Sequence, residues 1–328
     1  MALVYAEALA TQVTGGRLVA VAGGTRAASL AAEYGIDAEA SGDALIARPD
    51  IDAVVIATPH TSHLPYTRAA AAAGKHVYCE KPMAVTTAEC TAMIRACRDA
   101  GVLLTVAKQS RQNETTVEAK RLIDAGTIGE VRMIRILASI VGWDVAPDGW
   151  IVDPNEGGAY LDWGVHGCDA LRWITGSNAV RAYATFANYG HINAPDPSVM
   201  VQYELDSGVM VQLWMSYEMP APGLGSNFQF TIVGATGIIE LDRYGVRLGR
   251  GDGWETLMEL DPWNWARQPK HPHRIALSAR QVQDFVDAIR DGRQPGISGE
   301  EGRAAVEMIE AARRSAATHQ AVEIPLRD

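Results

Sequence analysis

The first hundred residues alternate between two hydrophobic patterns. Short, unbroken apolar runs stand at Arg17 to Gly24 (RLVAVAGG), Ile51 to Pro59 (IDAVVIATP), His76 to Pro82 (HVYCEKP) and Val102 to Gln109 (VLLTVAKQ). Runs this short and this rich in valine, closed by glycine or proline, predict strands buried on both faces. Between them lie TRAASLAAEYG, HLPYTRAAAAAG and TTAECTAMIRACRDAG, which have helical composition. Gly35 suits a helix C-cap, the second helix ends at Gly74, and Thr86 or Thr87 is the N-cap of the third. Strand–helix alternation at this pace predicts a Rossmann-like, doubly wound parallel sheet over residues 1–108.

After residue 108 the period changes. VRMIRILASI, VRAYATFANYG, VMVQYELDSGVMVQLWMSYE, FQFTIVGATGIIELD and GVRLG alternate apolar and polar positions, with turn signals such as Asp206-Ser207-Gly208. They predict a second α/β domain, 109–328, built on an open, mostly antiparallel sheet. A chain of 328 residues is long enough for two such cores.

Composition narrows the function. The formal net charge of -10, with no basic block, argues against a nucleic-acid surface. No apolar stretch approaches the ~20 residues that span a bilayer, and no signal peptide is visible, so no membrane partner is expected. The cysteines Cys79, Cys90, Cys97 and Cys168 form no CxxC pair, and the expectation is a reduced, cytoplasmic protein.

Two clusters carry chemistry. In a parallel sheet of this kind ligands bind outside the carboxyl ends of the strands, where Glu80 and Lys81 fall. Pro82 pushes Lys81 towards extended geometry, so its side chain projects; the plain alternative is a solvated strand–helix turn. Farther on, NEGGAYLDWGVHGCDALRW (Asn155 to Trp173) runs from a glycine pair into a helix. Asp162 and His166 stand four apart on one helical face, with Asp169 one turn further. Imidazole titrates near neutrality and a neighbouring carboxylate steadies its charged form, so the pair can do acid–base work; a satisfied core histidine is the alternative.

Together, AGKHVYCEKPMA and GGAYLDWGVHGCD resemble the glucose–fructose oxidoreductase/inositol dehydrogenase/rhizopine catabolism (Gfo/Idh/MocA) family, and the closing segment from Val282 to Leu326 resembles that family's ending. The resemblance covers nearly the whole chain. It implies an NAD(P)-dependent dehydrogenase acting on a secondary hydroxyl of a sugar, sugar derivative or inositol. It further implies that Lys81 bonds the reacting hydroxyl and that His166 takes its proton as hydride leaves the same carbon. Asp162 would orient the substrate or the histidine, Glu80 would sit against the cofactor, and the Lys81–Pro82 bond would be cis. Relatives use one face of the second sheet to form dimers or tetramers; Met200, Met210, Trp214 and Met215 suit such a face or packing beneath the helix.

The cofactor side departs from the pattern. A nucleotide-binding sheet opens on a strand and a G-x-G-x-x-G/A turn. Here MALVYAEALATQ reads as the helix that follows such a turn, so the first strand is not in the sequence. Aligned to the family, Ala2 takes the motif's last small position and Gly23-Gly24 fall where the ribose reader belongs. The expectation is that the gene starts upstream and Met1 is internal; a shortened, cofactor-impaired chain is the alternative. Gly24, Thr25 and Arg26 bring no carboxylate to that turn, and the arginine suits a 2′-phosphate, which favours NADP over NAD.

Other positions follow from the family. Thr58, Pro59 and His63 of ATPHTSH stand at a strand end where relatives contact the cofactor, and Lys108, Gln109 and Arg111 end the last strand, with Gln109 assigned to cofactor and Arg111 to substrate. The H-x-x-H spacing of His60 and His63 lacks a third ligand, so no metal is expected. Trp143 and Trp150 precede the catalytic helix, and Trp150 is a candidate face for a sugar ring. WNWARQPKHPHR (Trp263 to Arg274) could close over substrate or cover a subunit contact. The rival functions are a non-catalytic cofactor- or sugar-sensing regulator of the same fold and a redox-assisted glycoside-cleaving enzyme. Intact Lys81, Asp162 and His166 favour chemistry.

Overall fold

In the computed structural model, which describes residues 1–141, 149–224, 228–263 and 267–327, helices and strands follow the predicted order. The first stretch runs α1 (Ala2–Thr11), β1 (Ala20–Ala22), α2 (Ala27–Tyr34), β2 (Asp37–Glu39), α3 (Gly42–Ile46), β3 (Ala53–Ile56), α4 (His63–Ala72), β4 (His76–Cys79), α5 (Thr87–Asp99) and β5 (Leu104–Val106). Then come α6 (Glu114–Asp124), β6 (Val131–Val141), α7 (Gly158–Thr175), β7 (Ala179–Ala187), β8 (Ser198–Leu205) and β9 (Met210–Met219). The rest is β10 (Gln229–Gly234), β11 (Ile238–Asp242), β12 (Gly245–Arg250), β13 (Gly253–Glu259), α8 (Pro272–Asp291), α9 (Gly299–Thr318) and β14 (Val322–Glu323).

Contacts divide the chain into two units: Met1–Gln109 with Trp263–Arg303, and Ser110–Pro262 with Ala304–Asp328. The first crossing falls between Gln109 and Ser110. The chain then returns, so residues 263–303, expected in the second domain, belong with the first unit. The cause is the stripe Ile275, Ala279, Val282 and Phe285 on α8, which buries against Val4, Tyr5 and Ala8 of α1 and against Tyr78 of β4. Tyr78 meets Tyr5 and Phe285 edge-on, with ring centroids 5.2 and 5.7 Å apart. Burying one such aromatic contributes about 1.5–3 kcal/mol.

The strands of the first unit are parallel, in two groups, β1–β2 and β3–β4–β5. Among the described residues no strand joins β1 to β3. Helix ends follow their residues: Gly35 takes φ 64° at the C-cap of α2, and Thr86 caps α5 in a reciprocal box with Glu89.

The second unit is built on a nine-stranded sheet in the order β13-β12-β11-β10-β6-β9-β8-β7-β14. It is antiparallel throughout except where β6 runs parallel to β9. Alternation sorts its methionines: Met215 is fully buried, whereas Met200 and Met210 are more than half exposed on the other face. No helix among the described residues is long and apolar enough to cross a membrane.

Candidate active site

Four of the sequence-predicted groups follow carboxyl ends of strands in the first unit. Gly23 to Arg26 leave β1, Thr58 and Pro59 leave β3, Glu80 and Lys81 leave β4, and Lys108 and Gln109 leave β5. Glu80 is only 6% exposed, yet both oxygens are satisfied. Oε1 accepts from Tyr5 Oη of α1 at 2.5 Å, and Oε2 accepts the Lys81 amide at 2.9 Å. Burial, and then the Glu80 charge, push the Tyr5 phenol up, so it stays a donor. The Lys81–Pro82 peptide is cis, and Lys81 is half-buried.

His63 is fully buried and works on backbone. Its Nδ1 lies 3.0 Å from Pro82 O and 3.3 Å from Met83 O, and its Nε2 lies 3.1 Å from Thr58 O. It therefore ties the turn after β4 to the turn after β3. Burial lowers its pKa, against the opposing pull of these carbonyls and of Glu80. Gln109 donates to Ser278 Oγ at 3.1 Å, and the Lys108 amide to Gln281 Oε1 at 2.7 Å, so α8 fixes the turn after β5.

The start of α1 gathers charge. Burial lowers the pKa of the Met1 amine, Glu80 pulls it back up and Arg274, Arg26 and Lys81 lower it further; Arg274 Nη2 lies 3.3 Å from Met1 Sδ. Ala2 is exposed there. Gly23 and Gly24 take φ 75° and 66°, with open space where a Cβ would stand. A helix start beside an open glycine turn, with Arg26 on that turn and Arg274 beside Met1, suits the phosphates of a dinucleotide, and the residues fit that group. Arg274 ends the segment Trp263 to Arg274, expected over substrate or at a subunit contact; it is buried, with its guanidinium beside Met1.

In the second unit, α7 presents Asp162, His166 and Asp169 on one face, as their spacing predicts. Gly157 and Gly158, with φ 86° and 69°, start it. At Gly158 a Cβ would lie 2.4 Å from Pro195 O, the carbonyl that accepts the Ala159 amide at 2.9 Å. Arg313 pins this start, bonding both Gly157 O and, at 2.6 Å, Asp196 Oδ2.

Each member of the α7 face has a partner distant in sequence. Asp162 is 8% exposed, and its Oδ2 accepts from Tyr217 Oη of β9 at 3.0 Å. Burial, then Asp162, push the Tyr217 phenol up. Half-buried His166 has Nδ1 3.3 Å from Ser110 Oγ. Asp169 is fully buried and takes the fork of Arg111, Nε to Oδ2 at 2.8 Å and Nη2 to Oδ1 at 2.7 Å. The guanidinium expected at substrate thus makes a buried ion pair with the helix. Trp150 is 40% exposed; Trp143 and residues 264–266 of the loop after Trp263 lie outside the described residues. Ser110 and Tyr217 were missed, although Ser110 stands between two singled-out residues, Gln109 and Arg111.

Residues 1–108 match the oxidoreductase family with an NAD-binding Rossmann fold, and residues 116–240 match the GFO/IDH/MocA C-terminal domain. The chain is 31% identical over 327 residues to the 1,5-anhydro-D-fructose reductase of Ensifer adhaerens, covering 96% of this chain and 93% of that protein. It is 29% identical over 324 residues to an inositol 2-dehydrogenase of Rhizobium meliloti, covering 94% and 92%. A crystal structure of an aldose–aldose oxidoreductase from Caulobacter crescentus, complexed with glycerol, superposes with a TM-score of 0.80 at 28% identity, over 94% of this chain and 92% of that one. The chain belongs to the GFO/IDH/MocA oxidoreductase family.

Proposed function

We propose that this enzyme moves hydride between a nicotinamide cofactor and a secondary hydroxyl of a sugar, sugar derivative or inositol, with Lys81 and His166 handling the hydroxyl and its proton. The observation that carries the reading is the α7 face, where an imidazole held through Nδ1 stands between two anchored carboxylates. An imidazole so held exchanges its proton at Nε2. An alcohol is a poor hydride donor until that proton is leaving, so a base and a cation acting on one oxygen are what the reaction needs. Lys81, at a strand end whose carboxylate neighbour is fixed on both oxygens, supplies the cation. The nicotinamide, when bound, exchanges the hydride.

Within this reading Arg26 selects NADP over NAD, since the exposed Gly23-Gly24-Thr25-Arg26 turn offers a guanidinium and no carboxylate. The outward face of the large sheet, with Met200, Met210, Met133 and Tyr183 exposed, closes a homodimer or homotetramer. Four free, buried cysteines suit a reducing cytoplasm.

The first experiment titrates the protein with NADPH and NADH, then assays turnover on 1,5-anhydro-D-fructose, inositols and aldoses. NADPH should bind ahead of NADH, and Arg26→Ala should cut that preference by about tenfold or more. Lys81→Ala and His166→Ala should each lower turnover by about 10²–10⁴ while cofactor still binds. Normal turnover by either variant would falsify its assigned role.

A further inference from the structure

Ser110 and Arg111 are neighbours in the turn Gln109–Gln112, and His166 and Asp169 are one helical turn apart on α7. The two-point fork between Arg111 and Asp169 therefore sets where Ser110 falls along the helix, and it falls with Oγ 3.3 Å from His166 Nδ1. Ser110 is 6% exposed, so water has little access to replace it. We infer that Ser110 is a positioning residue for the proton transfer, accepting the Nδ1–H of His166 and so fixing the tautomer whose lone pair is on Nε2. The inference rests on the reading of His166 as the base.

The chemistry follows from the two ring nitrogens. A neutral imidazole carries one N–H; were Nδ1 the acceptor, Nε2 would bear the proton and could only donate. With Ser110 accepting, Nδ1–H persists whether the ring is neutral or protonated, so one hydrogen bond serves before and after transfer. A hydroxyl also adds no negative charge that would hold the imidazolium. The charged groups on the flanking turns are Asp162, bonded by Tyr217, and Asp169, paired with Arg111.

The test reads the tautomer directly. The full chain labelled with ¹⁵N-histidine has eight histidines, and His166→Ala assigns the signal. Above its titration, His166 should carry its proton on Nδ1; Ser110→Ala should shift the signals towards the other tautomer, and Ser110→Thr should restore them. A wild-type ring protonated on Nε2, or a spectrum unchanged in Ser110→Ala, overturns the inference. In turnover of 1,5-anhydro-D-fructose with NADPH, or of inositol with NAD, Ser110→Ala should lower kcat about tenfold with KM nearly unchanged. It should cost nothing more in the His166→Ala background, whereas an equal further loss there means a merely structural serine. Full turnover by His166→Ala would instead remove the base reading itself.

Discussion

The turn after β4 and the face of α7 hold their chemical groups in different ways. In the turn, main chain does most of the holding: Glu80 takes the amide of the next residue, and His63 meets the carbonyls of Thr58, Pro82 and Met83. On α7, side chains do it, from partners 55 to 58 positions away: Tyr217 on Asp162, Ser110 on His166, Arg111 on Asp169. A turn shaped by its own backbone tolerates changes in surrounding side chains. A helix face built from three separate pairs is only as well placed as each partner.

The largest expected effect breaks one pair. Arg111→Ala leaves the Asp169 carboxylate buried without its fork, which should cost about 3–5 kcal/mol of stability, read as a lower urea midpoint. Arg111→Lys keeps the charge but not the two-point geometry and should recover only part of it. A loss within error of zero would mean that the ion pair does not hold the face.

Next come two phenols that do the same work in the two regions. Tyr217→Phe and Tyr5→Phe each remove one hydroxyl from a buried carboxylate, and each should cost about 1.5–3 kcal/mol. Their functional consequences should separate. Tyr217→Phe loosens Asp162 and should lower kcat, whereas Tyr5→Phe leaves Glu80 its Lys81 amide and should act on cofactor affinity. If both move the same kinetic constant, the distinction between backbone and side-chain holding fails.

The same contrast explains what could be read from the sequence. Glu80-Lys81-Pro82 was legible because the strand's end, the proline and the following Thr86–Glu89 cap are all local. The period of α7 placed Asp162, His166 and Asp169 on one side for the same reason. Their partners were not legible, because pairing Ser110 with His166 requires knowing how the turn after β5 meets a helix fifty residues later. Locality also explains the misplaced return of the chain. The stripe on α8 announces an amphipathic helix, but not that α1 and Tyr78 cover it. In the second sheet, β13 and the short β14 escaped notice: GWETLME is exposed over its first four residues and offers little apolar period, and two residues are too few to show one.

The smallest effect concerns pH and separates the regions most finely. His63 is buried among carbonyls with its pKa below the usual 6.5, chiefly through burial. The unfolded chain therefore binds a proton at this residue before the folded one does. Its contribution to stability is full above about pH 6.5 and is lost as pH falls from there through the lowered folded value. A His63→Asn variant should show a shallower decline of the urea midpoint over that window than the native chain. His76, which burial also lowers, remains in both proteins and cancels from the difference. An unchanged slope would mean that folding leaves the proton affinity of His63 as it is, and a steeper one that His63 is protonated in the fold, donating from both nitrogens to Pro82 and Thr58. The turn bearing Lys81 would then be held by a cation, and its distance from the carboxylate of Glu80 would matter more than backbone shape.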